Sequence, residues 1–113
     1  MPDHRELLNR LEKLIHDFDK HIEFWAISRA NYNKESEMKK ITLNLISSGQ
    51  NGRSEAENNR RAYCSPKYEE FLSHLFKIEV EFYTADMKKH SLQNEIDATR
   101  TLISFEKGQM LNT

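Results

Sequence analysis

Residues 66–107 read PKYEEFLSHLFKIEVEFYTADMKKHSLQNEIDATRTLISFEK. Within them Phe71, Leu75, Ile78, Phe82, Ala85, Lys89, Leu92, Ile96, Thr99 and Ile103 recur at alternating steps of four and three. That spacing puts all ten on one stripe of an α-helix, the pattern of a coiled-coil seam. A long helix over about 66–107 follows. Its start is marked by Ser65, a good N-cap residue, and by Pro66, whose missing N–H has no partner in the first turn anyway. Gly108 is the expected stop, with Lys107 complementing the helix dipole. A second apolar stripe, Leu72, Phe76, Tyr83 and Met87, lies beside the first.

The preceding residues give a matching element. Asp3 can cap a helix start, and Glu6 completes a capping-box-like pattern. Leu8, Leu11, Ile15, Phe18, Ile22 and Trp25 then alternate by three and four, and Leu7 and Leu14 widen the stripe. The next seam positions are Arg29 and Tyr32; beyond them the seam is expected to shift to Met38, Ile41 and Leu45. This predicts a helix over about 3–47. The segment 48–65 joins the two. Gly49 and Gly52 are expected to end the first helix and turn the chain. Ser54 with Glu57 allows a short helix from Glu55 to Tyr63, while the asparagines there equally allow a loop.

The expected fold is all-α: one helical domain over 1–113, a long antiparallel two-helix hairpin. Such a hairpin buries one narrow stripe per helix and leaves the second stripe uncovered. Each apolar side chain left in water forgoes roughly 1.5–3 kcal/mol. A homodimer forming a four-helix bundle or coiled-coil-like assembly answers this, with Leu72, Leu75, Phe76, Phe82, Tyr83 and Met87 at a dimer or partner interface.

Composition narrows the function. Among 113 residues, 31% are charged and the formal net charge is −1, which offers no global attraction to nucleic acid or to an acidic membrane. The single cysteine, Cys64, cannot form an internal disulfide and suits a reducing interior. No apolar run approaches the ~20 residues of a membrane span. The start, Met1-Pro2-Asp3-His4-Arg5-Glu6, lacks the apolar core of a signal peptide. A soluble cytoplasmic protein is expected.

Motifs for chemistry are sparse. Asp17 with His21, and Glu70 with His74, are each one turn apart and suit two metal ligands on a helix face. No Glu-x-x-His pair or His-Glu-x-x-His accompanies them, and solvated histidines are the plainer reading. Cys64 lies in the connecting segment without a glycine-rich elbow, no serine sits in Gly-x-Ser-x-Gly, and no phosphate-cradling glycine loop occurs. A non-enzyme without cofactor or metal is expected. The strongest local pattern is basic. Lys34, Lys39, Lys40, Arg53, Arg60, Arg61 and Lys67 gather towards the turn, with Tyr32, Tyr63 and Tyr68 among them as stacking groups. Of these Lys39, Lys40, Arg53, Arg60, Arg61 and Lys67 are the candidate nucleic-acid contacts. Six glutamates interleave with them: Glu35, Glu37, Glu55, Glu57, Glu69 and Glu70. Arg29 and Lys89 sit on the seams, where a long side chain either snorkels to water or fixes register and oligomeric state. A carboxylate such as Asp17 or Asp19 on the facing helix is a further partner for Lys89.

The stretch Glu95-Ile-Asp-Ala-Thr-Arg-Thr-Leu-Ile-Ser-Phe-Glu-Lys107, with its Arg-x-Leu-Ile-Ser-x-x-Lys ending, and the Tyr-x-x-Phe-Leu of Tyr68 to Leu72 carry a resemblance. In these motifs, and in size, the chain resembles small helical, coiled-coil-like accessory proteins encoded by tailed bacteriophages. The resemblance implies an accessory or inhibitor that binds a protein partner in the host cytoplasm, or an accessory of replication or recombination that binds nucleic acid. It also implies a shared surface at Arg100 and Ser104. The middle of this chain departs from the pattern, being poor in alanine and richer in asparagine and glycine.

Overall fold

The computed structural model describes residues 3–111, with the backbone alone at 110 and 111. Three helices follow in order: α1 (His4–Ser48), α2 (Glu55–Tyr63) and α3 (Pro66–Leu111). No strand occurs among the described residues. The chain forms two compact units, a terminal unit of Met1–Ala26 with Thr84–Thr113 and a turn unit of Ile27–Tyr83.

The helix ends have local causes. Asp3 Oδ1 accepts the Glu6 N–H at 2.8 Å, satisfying a first-turn donor of α1. Ser65 Oγ does the same for the Tyr68 N–H of α3 at 3.2 Å. At the end of α1 the Gly49 N–H bonds the Ile46 carbonyl and the Gln50 N–H bonds the Ser47 carbonyl, both three residues back. The last turn therefore tightens rather than closing through a left-handed glycine, and no glycine has positive φ among the described residues. Gly108 does not end α3, which continues to Leu111. A glycine inside a helix costs only about 1 kcal/mol against alanine, which the surrounding turns absorb.

The short helix α2 forms, and three contacts hold its start. Ser54 caps it from an extended backbone conformation, accepting the Glu57 N–H at 3.2 Å. Glu57 reaches back to the Arg53 N–H at 2.8 Å, and Asn58 Oδ1 accepts the Gly52 N–H at 2.7 Å. A Cβ on residue 52 would run into Asn58 Oδ1 and displace the amide that accepts the Gly52 N–H, so glycine serves close approach here rather than an unusual φ.

In the terminal unit α1 buries Leu7, Leu14 and His21, and α3 buries Ala85, Ile96 and Thr99. His21 Nε2 donates to the Ala85 carbonyl at 2.7 Å, which satisfies a polar ring inside the seam. Thr99 Oγ1 donates to the Glu95 carbonyl of its own helix at 2.7 Å. In the turn unit Ser28, Ser47, Ala62 and Tyr68 are buried. Tyr32 stacks on Phe82 with centroids 5.4 Å apart and meets Tyr83 at 5.9 Å. Nearer the turn Asn44 shares a cleft with Tyr68, so α1 and α3 run antiparallel in this unit.

The α3 seam follows the ten expected positions, all of them buried or half-buried. The α1 seam keeps Leu11, Phe18, Trp25 and Tyr32 but takes Leu7, Leu14, His21 and Ser28 between them. Leu8 stays 44% exposed, and Ile15 and Arg29 are exposed as well. The expected shift to Met38, Ile41 and Leu45 does not occur; all three are exposed, while Thr42, Ile46 and Ser47 turn inward. Polar residues can occupy this part of the seam because α2 supplies a partner: Ser47 Oγ donates to Asn59 Oδ1 at 2.6 Å.

Leu14→Ala is therefore expected to cost about 2–4 kcal/mol in urea unfolding, and Ile15→Ala less than about 1 kcal/mol. The reverse order would restore the Leu8–Ile15 seam.

Candidate functional site

The basic residues near the turn line three hollows, two of which share Arg61. Arg53, Arg60 and Arg61 line a hollow on α2 together with Glu57. Arg61 is paired there, its guanidinium 2.9 Å from Glu57. Lys67 lines an adjoining cleft with Leu45 and Pro66, and Arg61 belongs to both. Lys39 and Lys40 lie in a third cleft, between α1, α2 and the start of α3, with Tyr63 and Tyr68. Tyr32 belongs to the Phe82 stack instead.

The titration of Glu57 is displaced downward. The Arg53 backbone N–H is the main cause; burial opposes it, and the charge and hydrogen bond of Arg61 add to it, so that Glu57 is held below the usual carboxylate range. A depressed folded pKa stabilises above the unfolded pKa, and that contribution is lost as pH falls through the folded value.

The residues with ligand or nucleophile chemistry are scattered. No three His, Cys, Asp or Glu side chains converge among the described residues. His21 turns into the seam and is bonded to Ala85, and it lines a hollow with Asp17. Cys64 is exposed and caps α2, its N–H bonding the Arg60 carbonyl.

The interface candidates divide into two sets. Leu75 and Phe82 are half-buried in the seam. Leu72, Phe76 and Tyr83 are exposed in the turn unit, Phe76 at 64%, and Met87 is 73% exposed in the terminal unit. Val80 joins the exposed set, as do Ile27, Ile41 and Leu45 on α1 in the turn unit. Met38, Ile41 and Leu45 keep three-four spacing, so the pattern that suggested a seam marks an outward face.

In the terminal unit Lys89 meets an aromatic ring. Its Nζ lies 3.6 Å from the centroid of Trp25. Trp25 Nε1 donates to Asp86 Oδ1 at 2.8 Å, and Asp86 Oδ2 lies 3.4 Å from His90 Nε2. The indole is thus oriented from its edge by a carboxylate and covered by a cation on its face. Asp17 and Asp19 are not the partners of Lys89. The sequence placed Trp25 and Lys89 each on a seam; that they meet, and the Asp86 hydrogen bond, needed the register.

No protein-family model, curated protein or solved structure matches this chain.

Two outcomes follow. Trp25→Leu and Lys89→Met, combined in a double-mutant cycle, should show a coupling of about 0.5–2 kcal/mol in unfolding free energy. Zero coupling would mean that the ammonium only snorkels. Amide protection across α2 should fall as pH drops through the carboxylate range in the wild type, and Glu57→Gln should remove that dependence in hydrogen exchange.

Proposed function

We propose that this protein has no catalytic chemistry of its own and acts as a phage-type accessory or inhibitor, binding a protein partner through its helical faces as a homodimer. The observation that carries the reading is Phe76, mostly exposed and set among Leu72, Val80 and Tyr83 on one stretch of α3. Covering such side chains is worth roughly 1.5–3 kcal/mol each, and contiguous exposed apolar surface of this kind marks interaction sites. A second copy supplies the same surface, and pairing two hairpins makes a four-helix bundle, the expected way to complete such a core. No helix among the described residues is long and apolar enough to cross a membrane. A cytoplasmic setting, in the host cell if the chain is phage-encoded, completes the reading.

Light scattering at micromolar concentration tests it. A dimer mass is expected for the wild type. Phe76→Asp should give a folded monomer with unchanged helical circular dichroism, because Phe76 contributes little to the protomer's own seam. A wild-type monomer would remove the homodimer, and an unchanged mass in Phe76→Asp would move the interface elsewhere.

A further inference from the structure

We propose that the cleft between Lys39, Lys40 and Tyr63 binds a nucleotide unit, with the phosphate on the two lysines and the base against the Tyr63 ring. The cleft lies wholly in the turn unit and has a volume of about 540 Å³. It goes beyond the protein-binding reading and uses none of the α3 face on which that reading rests, so either can fail alone.

The first argument is charge. Lys39, Lys40, Asn44, Asn59, Tyr63 and the other residues of its wall include no carboxylate. The neighbouring hollow of Arg53, Arg60 and Arg61 contains Glu57, already bonded to Arg61. Glu35 stands one turn before Lys39, yet neither lysine is in an ion pair among the described residues. Affinity for phosphate depends on such unopposed cations. The near-neutral chain therefore has a local positive site that its net charge hides.

The second argument is a fixed aromatic platform. Tyr63 is 59% exposed, which leaves ring surface open to a ligand. Its ring meets Tyr68 edge-on, at 5.6 Å and 89°. Tyr68 is buried and stacks further on Phe71 at 6.5 Å. Behind Tyr63, Ala62 is fully buried, and Asn59 is tied to Ser47. The platform is thus set before any ligand arrives, which lowers the ordering cost of binding. Asn59, whose side-chain oxygen accepts from Ser47, is a fixed polar residue of the same wall. Aromatic faces accept any base, so the expected ligand class is a nucleobase adjacent to a phosphate, with weak sequence preference. A free nucleotide and one unit of a single strand share this chemistry.

The test uses the full chain at low salt. Anisotropy of a fluorescein-labelled oligo(dT) reports the single strand, and calorimetry with AMP and with inorganic phosphate reports the small ligands. Binding of the oligonucleotide alone assigns a single strand; binding of AMP as well assigns the nucleotide unit itself. Either supports the site if the variants agree. Tyr63→Ala should weaken binding about tenfold, and Tyr63→Phe should retain it. Lys39→Ala with Lys40→Ala should reduce the slope of log affinity against log salt for the oligonucleotide by about 1.4. Both lysines are exposed helix positions, so that variant should fold, and circular dichroism checks it. Arg53→Ala with Arg60→Ala should leave most of the affinity. The proposal is overturned if neither oligonucleotide nor AMP binds, if phosphate binds as tightly as AMP, or if the arginine variant loses binding while the lysine variant keeps it.

Discussion

Two helices lying side by side touch along one line, and each can hide only about two positions in every seven along it. Nearly every feature of this protein follows from that limit. The chain carries more apolar residues than one seam can take, so Phe24, Ile27, Leu45, Phe76 and Met87 remain in water. The same seam holds several polar residues, and each buried polar group must find a partner or lose about 1–3 kcal/mol. Apolar surface outside and polar groups inside are two sides of one geometric restriction.

The polar groups give the seam its register. Leucine against leucine tolerates a slip, whereas a slip here would break the bond of His21 to the Ala85 carbonyl and that of Trp25 to the Asp86 carboxylate. Ala85 is small enough to leave its carbonyl approachable. Lys89 adds charge on the indole face without needing a buried counter-ion. The turn unit is fixed in a similar way, by the Ser47–Asn59 bond and the Tyr32–Phe82 stack.

How much of this the sequence disclosed differs between the two long helices, for a physical reason. On α3 the apolar spacing admits one continuous seam, and the structure follows it from Phe71 to Ile103. On α1 the doublets Leu7–Leu8 and Leu14–Ile15 support two seams equally well. The apolar choice leads through Ile22 to Arg29, and the structure takes the one through His21 and Ser28. Hydrophobic counting cannot prefer a histidine; a carbonyl across the seam can. The division of the basic residues was partly legible, since Glu57 and Arg61 stand at the i,i+4 spacing of a helical ion pair. That Lys39 and Lys40 share a wall with Tyr63 depends on how α2 packs, which Ser47 and Asn59 decide.

The short connection between the long helices also bears on the entropy of loop closure. The Ser47–Asn59 bond joins residues 12 apart in the chain, and the His21–Ala85 bond joins residues 64 apart. Closing the longer loop from the open chain costs about 1.5 kcal/mol more in entropy. Once the turn is closed, each further contact has only a short span left to close. Loop-closure entropy thus favours pairing beside α2 over pairing of residues far apart in the chain. The nine residues of α2, too few to hold a helix alone, are therefore more than a connector. They bring together the residues from which the two long helices are drawn into register.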